Sequence, residues 1–166
     1  MEYVKPAAIT DAAVCFDLSD GGLFDALLWL NLQLIIPDAI AKIELKSIRG
    51  DDLLAAGFRI EVASGAEVAG AEALGSVYPG LSLYDRLALA MAIVRRFVLL
   101  TGDGCLRNAA VKEGVTVIGT LGLLDRLESH LPASRLVCAL ERIMARHAFL
   151  PVAECEKRLH RWRLLS

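Results

Sequence analysis

Two rhythms of apolar positions alternate along the chain. Short, nearly unbroken runs read as buried strands: "LQLIIP", "FRIEVA", "FVLLT" and "VTVIGT", preceded by "AAITDAAVCFDL", a strand running into a turn at "SDGG". Between them the apolar residues recur every three or four positions, as on one face of a helix. "LFDALLWLNL" places Leu23, Leu27, Leu28 and Leu30 at that spacing, with Asp20 or Gly21 near its start, and Pro37 with Asp38 opens a helix over "DAIAKIELKSI". "GAEVAGAEAL" is a weaker helix diluted by glycine. In "PGLSLYDRLALAMAIVRR", Ser82 and Asp85 make a capping-box-like start, and Leu83, Leu87, Ala90, Met91 and Val94 share a face. "DGCLRNAAVKEG" is a helix closed by Gly114. Alternating strands and helices with short connections imply an α/β fold with a mostly parallel sheet. After Thr120 only helical patterns remain: "LGLLDRLESHL", "SRLVCALERIMARHA" and "VAECEKRLHRWRLL", punctuated by Pro132 and Pro151.

Composition narrows this picture. A chain of 166 residues suits one domain, 1–166, and the helical stretch of about 132–166 is too short for a core of its own, so it is expected as an appendage. Apolar residues make up 55% and the mean hydropathy is +0.50, yet "LALAMAIV" and "FVLL" fall far short of a membrane span. A rich core and an apolar partner surface are expected instead. The start, "MEYVKPAAITDAAV", lacks the basic head and apolar run of a secretion signal, so the cytoplasm is the expected location. Cys15, Cys105, Cys138 and Cys155 show no C-x-x-C spacing and are expected to be reduced and mostly buried. Residues 1–131 hold 11 basic and 17 acidic side chains, whereas 132–166 hold 7 and 3. The net charge of −2 therefore gives no sign of a nucleic-acid binder, but the tail supplies a basic edge.

In open parallel sheets, ligands bind beyond the carboxyl ends of the strands, where strand order reverses. Asp103 follows "FVLLT" between two glycines; Asp11 lies within or at the end of the first strand; Asp85 sits in the first turn of the helix before "FVLLT"; Glu44 belongs to the helix after the second strand. Four carboxylates meeting at one edge would repel one another, and a hard divalent cation such as Mg²⁺ or Mn²⁺ relieves that repulsion with oxygen ligands. Each acid also has a structural reading: Asp103 as a helix cap, Asp85 as the far member of a capping box, Glu44 as a solvated surface residue. Asp11, flanked by "AAIT" and "AAVCF", is costly to bury without a partner.

The succession "ITDAAVCFDL … IIPDAIAKIEL … LSLYDRLALAMA … FVLLTGDGCLRNAA … GVTVIGTLGLL", over about residues 8–127, resembles the PIN-domain family of metal-dependent ribonucleases, which includes VapC-type toxins of toxin–antitoxin pairs. "GVTVIGTLGLL" and the ending "ARHAFLPVAECEKRL" resemble one prokaryotic subgroup. The resemblance implies a three-layer fold with a central five-stranded parallel sheet, helices on both faces and a helical C-terminal appendage. It places the family's acids on Asp11, Glu44, Asp85 and Asp103, with Thr101 at the small hydroxyl position two residues before the last. It implies an endoribonuclease in which Mg²⁺ or Mn²⁺ activates a water for phosphodiester hydrolysis, with RNA as substrate; the high apolar content leads us to expect a homodimer or an antitoxin-like partner that covers the surplus apolar surface. Glu44 departs from the pattern by one position, Ile43 standing where the acid is expected.

Arg107, one helical turn after Asp103, and Arg86, beside Asp85, are candidate phosphate contacts or plain surface charges. Trp162 in "RLHRWRLL" either stacks a base or covers a helix contact. His130, His147 and His160 have no base-like partners nearby and receive no catalytic role. "CFDLSDGG" resembles the nucleophile loop of haloacid-dehalogenase-type phosphatases, but that chemistry needs a second Asp two residues on, and Asp17 and Asp20 are three apart. Phosphate-binding glycine loops and the serine-hydrolase elbow are absent from the sequence. The main alternative is non-enzymatic, a catalytically weak or inactive PIN-like binding module. The two readings part on whether the four carboxylates converge on one ion position with an open side.

Overall fold

The structure is a computed structural model that describes residues 3–146 and 149–166; His147 lies outside the described residues. At its centre are five parallel strands: β1 (Ala7–Thr10), β2 (Gln33–Pro37), β3 (Arg59–Glu61), β4 (Val98–Leu100) and β5 (Val117–Ile118), in the order β3-β2-β1-β4-β5. The register pairs Ile9 with Ile35 on one side and with Leu99 on the other. Ile9, Ile36, Leu99 and Leu100 are fully buried, as expected where helices flank a parallel sheet. The chain builds outward from β1 to β3, then returns to the far side of β1 for β4 and β5. Strand order therefore reverses at β1, and the crevice lies between the carboxyl ends of β1 and β4. There the Asp11 N–H donates to the Leu100 carbonyl at 3.1 Å, tying the two ends together.

The first strand is shorter than its sequence suggests. "AAVCFDLSD" forms helix α1 (Ala12–Asp20), because the Asp11 carboxylate accepts the Val14 N–H and caps it. Asp11 therefore stands at the hinge between strand and helix. "LFDALLW" follows as a 3-10 helix, Phe24–Trp29, starting later than Asp20; Leu28 and Trp29 face solvent where a regular helix would bury Leu28. The helix expected over "DAIAKIELKSI" ends early, as α2 (Asp38–Ile43), and a further short helix that the sequence reading did not name, α3 (Gly50–Ala55), follows it.

Helix α4 (Gly65–Val77) is stronger than its glycines suggest, and it packs against α5 (Leu83–Arg95). A Cβ at Gly70 would stand 3.5 Å from the Ala90 Cβ, so the glycine admits the neighbouring helix closely. Helix α5 in turn packs on β1 and β4, and α6 (Gly104–Lys112) follows β4. The tail consists of α7 (Thr120–Leu127), α8 (Ala133–Ala145) and α9 (Val152–Leu164). Arg158 grips Asp125 with two hydrogen bonds of 2.8 and 2.6 Å, and buried Trp162 donates from Nε1 to Glu128 at 2.8 Å. Trp162 thus covers a helix–helix contact and is closed to base stacking. Of the cysteines, Cys15 and Cys155 are buried, while Cys105 and Cys138 are exposed, more than the sequence led us to expect; all four are free thiols.

Candidate functional site

Asp11 and Asp103 come from the two strands that flank the crevice. Asp103 caps α6 with Oδ1, which accepts the Leu106 N–H at 2.7 Å, yet the residue is exposed and its other oxygen is unengaged among the described residues. The cap reading and the open-carboxylate reading of this acid hold together, because capping uses one oxygen only. Thr101 links the two acids: its buried hydroxyl accepts the Asp103 N–H at 3.0 Å and hydrogen-bonds to Asp11.

Asp11 is only 3% exposed. Burial pushes its carboxyl up to about 7; the Thr101 and Val14 hydrogen bonds oppose that rise, and the charges of Asp85 and Asp17 add to it. Directly before it, the buried hydroxyl of Thr10 has no hydrogen-bond partner among the described residues. Polar capacity at this strand end is thus left unfilled by the protein itself.

Two helices open on a serine followed three residues later by an acid, and the difference between them is informative. At α4 the box is closed: Ser64 accepts the Glu67 N–H at 3.2 Å, and Glu67 accepts the Ser64 N–H at 2.7 Å. Buried Glu67 also binds Arg95 at 2.6 Å, which holds its carboxyl below the ordinary range. At α5, Ser82 accepts the Asp85 N–H at 3.1 Å, but the half-buried Asp85 carboxylate returns no hydrogen bond and forms no ion pair among the described residues. Glu67 is committed to the fold and Asp85 is free. Changing Glu67→Gln should therefore cost about 2 kcal/mol in a urea titration, since Arg95 keeps Glu61 but loses its buried charged partner, and should leave the site untouched.

Glu44 closes α2. The Ile40 carbonyl accepts both the Glu44 N–H at 2.9 Å and the Leu45 N–H at 3.1 Å, which widens the last turn by one residue. This turn absorbs the one-position departure seen in the sequence. Ile43 is 48% exposed, whereas Glu44 is half-buried and its carboxyl is raised by burial and by the charge of Asp85.

A fifth acid, Asp17, joins this edge. It projects from α1 and its Oδ2 accepts the Thr120 hydroxyl at 2.6 Å; a Cβ on Gly102 would lie 3.9 Å from the same oxygen. Burial raises its carboxyl, the Thr120 bond opposes the rise, and Asp20 adds to it. The sequence pattern, which reads "AAITDAAVCFDL" as a strand, gives Asp17 no role at this edge. Reading Asp11 as a helix cap would have placed Asp17 three residues after buried Val14, beside the inward face.

The two arginines diverge. Arg107 is exposed, and its Nη2 lies 3.5 Å from the Thr101 carbonyl and 2.6 Å from where a Gly119 Cβ would be, at the carboxyl ends of β4 and β5. Arg86 turns the other way: it donates to the Ala71 carbonyl at 3.2 Å and fills the space left by Gly75 on α4. Its guanidinium joins two helices and is not presented at the crevice.

Among the described residues, Asp11, Asp17, Glu44, Asp85 and Asp103 enter no ion pair, while Asp25, Glu61, Glu67, Asp125 and Glu128 are all held by arginine. The unpaired donors are all hard oxygens. They suit a divalent cation that keeps water and takes one or two carboxylates, and they do not suit zinc. Among the described residues no three His, Cys, Asp or Glu side chains stand close enough to cage an ion. A cation here would thus draw on one or two carboxylates together with water and substrate oxygens.

A family model described as a PIN domain, DUF3368, matches residues 7–163. The chain belongs to this PIN-domain family. Among solved structures, the chain is similar to a PilT N-terminus domain protein from the hyperthermophilic archaeon Sulfolobus solfataricus P2, with a TM-score of 0.50 and 19% identity over 75% of this chain and 97% of that one. That likeness concerns the fold. Comparison with curated proteins gave no match. The PIN fold is in general a nuclease fold that uses divalent metals, and it points to RNA binding. The PIN match runs through the tail helices as well as the sheet, and among the described residues no helix is long and apolar enough to cross a membrane.

Proposed function

We propose that this PIN domain is an endoribonuclease dependent on Mg²⁺ or Mn²⁺. The observation that carries the reading is the gathering of carboxylates at the strand-order reversal: buried Asp11 feels the charges of Asp85 and Asp17, Glu44 feels that of Asp85, and none of these acids has a cationic partner among the described residues. Of Asp11, Asp85, Asp103 and Glu44, one or two would ligate the cation directly and the others would reach it through its water shell. When bound, it supplies Lewis acidity toward phosphoryl oxygen and water. Thr101 keeps Asp11 and the Asp103 loop in register through its two hydrogen bonds. Arg107 offers positive charge to a phosphate at the crevice, a role for which Arg86 is poorly placed.

The test is cleavage of mixed single-stranded RNA with Mg²⁺, Mn²⁺ or a chelator, comparing the native chain with Asp103→Asn purified identically. Metal-dependent cutting lost in the variant supports the reading; equal cutting by both would assign the activity to a contaminant or another site. Glu44 has its own control. Glu44→Gln should raise the Mg²⁺ concentration for half-maximal cleavage about tenfold, while Ile43→Gln leaves it unchanged. The reverse result would return the acid position to residue 43.

The absence of a three-acid cage among the described residues favours a second reading, a catalytically weak or inactive binding module. Calorimetry separates the two, since the binding module would take RNA without metal-dependent turnover. A toxin role with an antitoxin partner, and a cytoplasmic homodimer, extend the proposal. They are supported by the VapC-like resemblance, the four free thiols and exposed apolar side chains such as Leu28 and Trp29.

A further inference from the structure

A groove of about 840 Å³ runs beside the acidic crevice along the β4–β5 edge of the sheet. Gly102 and Gly104, which flank Asp103, line it, so the groove passes beside that acid. Its floor is apolar, with half-buried Val98, Val117 and Ile118. The opposite wall comes from α7 and from the segment before α9, where Phe149 is 99% exposed. Three arginines line the groove, and they differ in employment. Arg158 is held by Asp125 and Glu154, whereas Arg107 and Arg126 donate only to backbone carbonyls and have no acidic partner among the described residues.

We infer that this groove is the track for a single strand of RNA entering or leaving the site, with Arg107 and Arg126 on its phosphates and Phe149 stacked on a base. The inference rests on the ribonuclease reading and extends it to Arg126 and Phe149, to which that reading assigns no role. The chemistry is that of single-strand binding: free cations spaced along an apolar floor, and an aromatic side chain with nothing covering it. A duplex keeps its bases stacked and has no use for that floor or for Phe149. An added peptide strand is the competing occupant, but the β5 edge has two residues, too short a template, and the unpaired charges call for a polyanion.

The test uses the full chain carrying Asp103→Asn, in chelator, so that a labelled single-stranded RNA of about 16 nucleotides is bound but not cut. In fluorescence anisotropy, adding Phe149→Ala should weaken binding roughly 5- to 100-fold, and Phe149→Trp should restore it. Adding Arg126→Ala should lower the salt slope of the binding constant by about 0.7. Arg49→Ala, an exposed arginine outside the groove, should change neither. Binding unaffected by Phe149→Ala and Arg126→Ala would overturn the track and leave the ribonuclease reading standing. Equal affinity for duplex RNA, or equal competition by polyglutamate, would overturn the single-strand assignment. Absence of RNA binding in every form, with no cleavage by the native chain, would remove both readings together.

Discussion

Replacing Asp11 by Asn should make the metal-free protein more stable at pH 8 while abolishing its activity. The Asp11 carboxyl titrates at about 7 in the folded chain against 3.8 for the free group, so between those values the folded state holds a proton that the unfolded state has released. Stability therefore falls as pH rises from about 4 through about 7, because deprotonation favours unfolding, and it levels off above. The difference corresponds to about 4 kcal/mol at alkaline pH. Asn cannot ionise, yet its side-chain oxygen can still accept the Val14 N–H, so it escapes this loss and keeps the cap. Asp17 and Glu44 shift in the same direction, and Glu67 and Asp25 shift oppositely, so the native profile alone mixes several groups. The difference between native and variant isolates Asp11. Urea titrations in chelator from pH 4 to 9 should show the curves nearly meeting at about pH 4, separating as pH rises and running parallel above about pH 7. Mg²⁺ at pH 8 should then stabilise the native chain far more than the variant. A gap independent of pH would remove the buried carboxylate as its cause.

Asp103→Asn should reduce metal-dependent cleavage at least 100-fold or so, with little change in stability. Losing a partner one step removed from a metal typically costs 10- to 100-fold, and losing a direct carboxylate donor should cost more. The fold should tolerate it for a local reason. Asp103 is exposed, and the only hydrogen bond its carboxylate accepts among the described residues is the Leu106 N–H, which the Asn oxygen can accept equally well. Asp103→Ala would instead remove the cap and cost about 1 kcal/mol besides. Parallel thermal melts and cleavage rates for the two variants separate the cap from the chemistry. Matching losses of activity with a stability loss in Ala alone is the expected pattern; an Asn variant that retains native rates would place the reaction elsewhere.

The α/β class and the ends of the later strands were legible in the sequence, because the apolar rhythm of a buried strand or an amphipathic helix is a local property; the end of the first strand at Thr10 was not, since the apolar run continues past Asp11 into α1. The parallel five-stranded sheet and the family followed from the same stretches, and so did the placement of Thr101 and Asp103 just past the end of β4; Asp11, flanked by apolar residues on both sides, was placed at the end of β1 by the tertiary structure. Tertiary structure decided what each acid does, because partners are chosen by contacts far apart in the chain. Glu67 and Asp85 carry the same local motif, and only Arg95, 28 residues from Glu67, makes one structural and leaves the other free. Asp17 meets Thr120 across 103 residues, a separation no periodicity reveals. Glu44, at a widened turn with one shared carbonyl, comes under the charge of Asp85, and Arg86 is drawn away by the carbonyl of Ala71 on a neighbouring helix. Local pattern set which side chains lie near the strand ends; the packing of the helices around them decided which carboxylates remained without a cation.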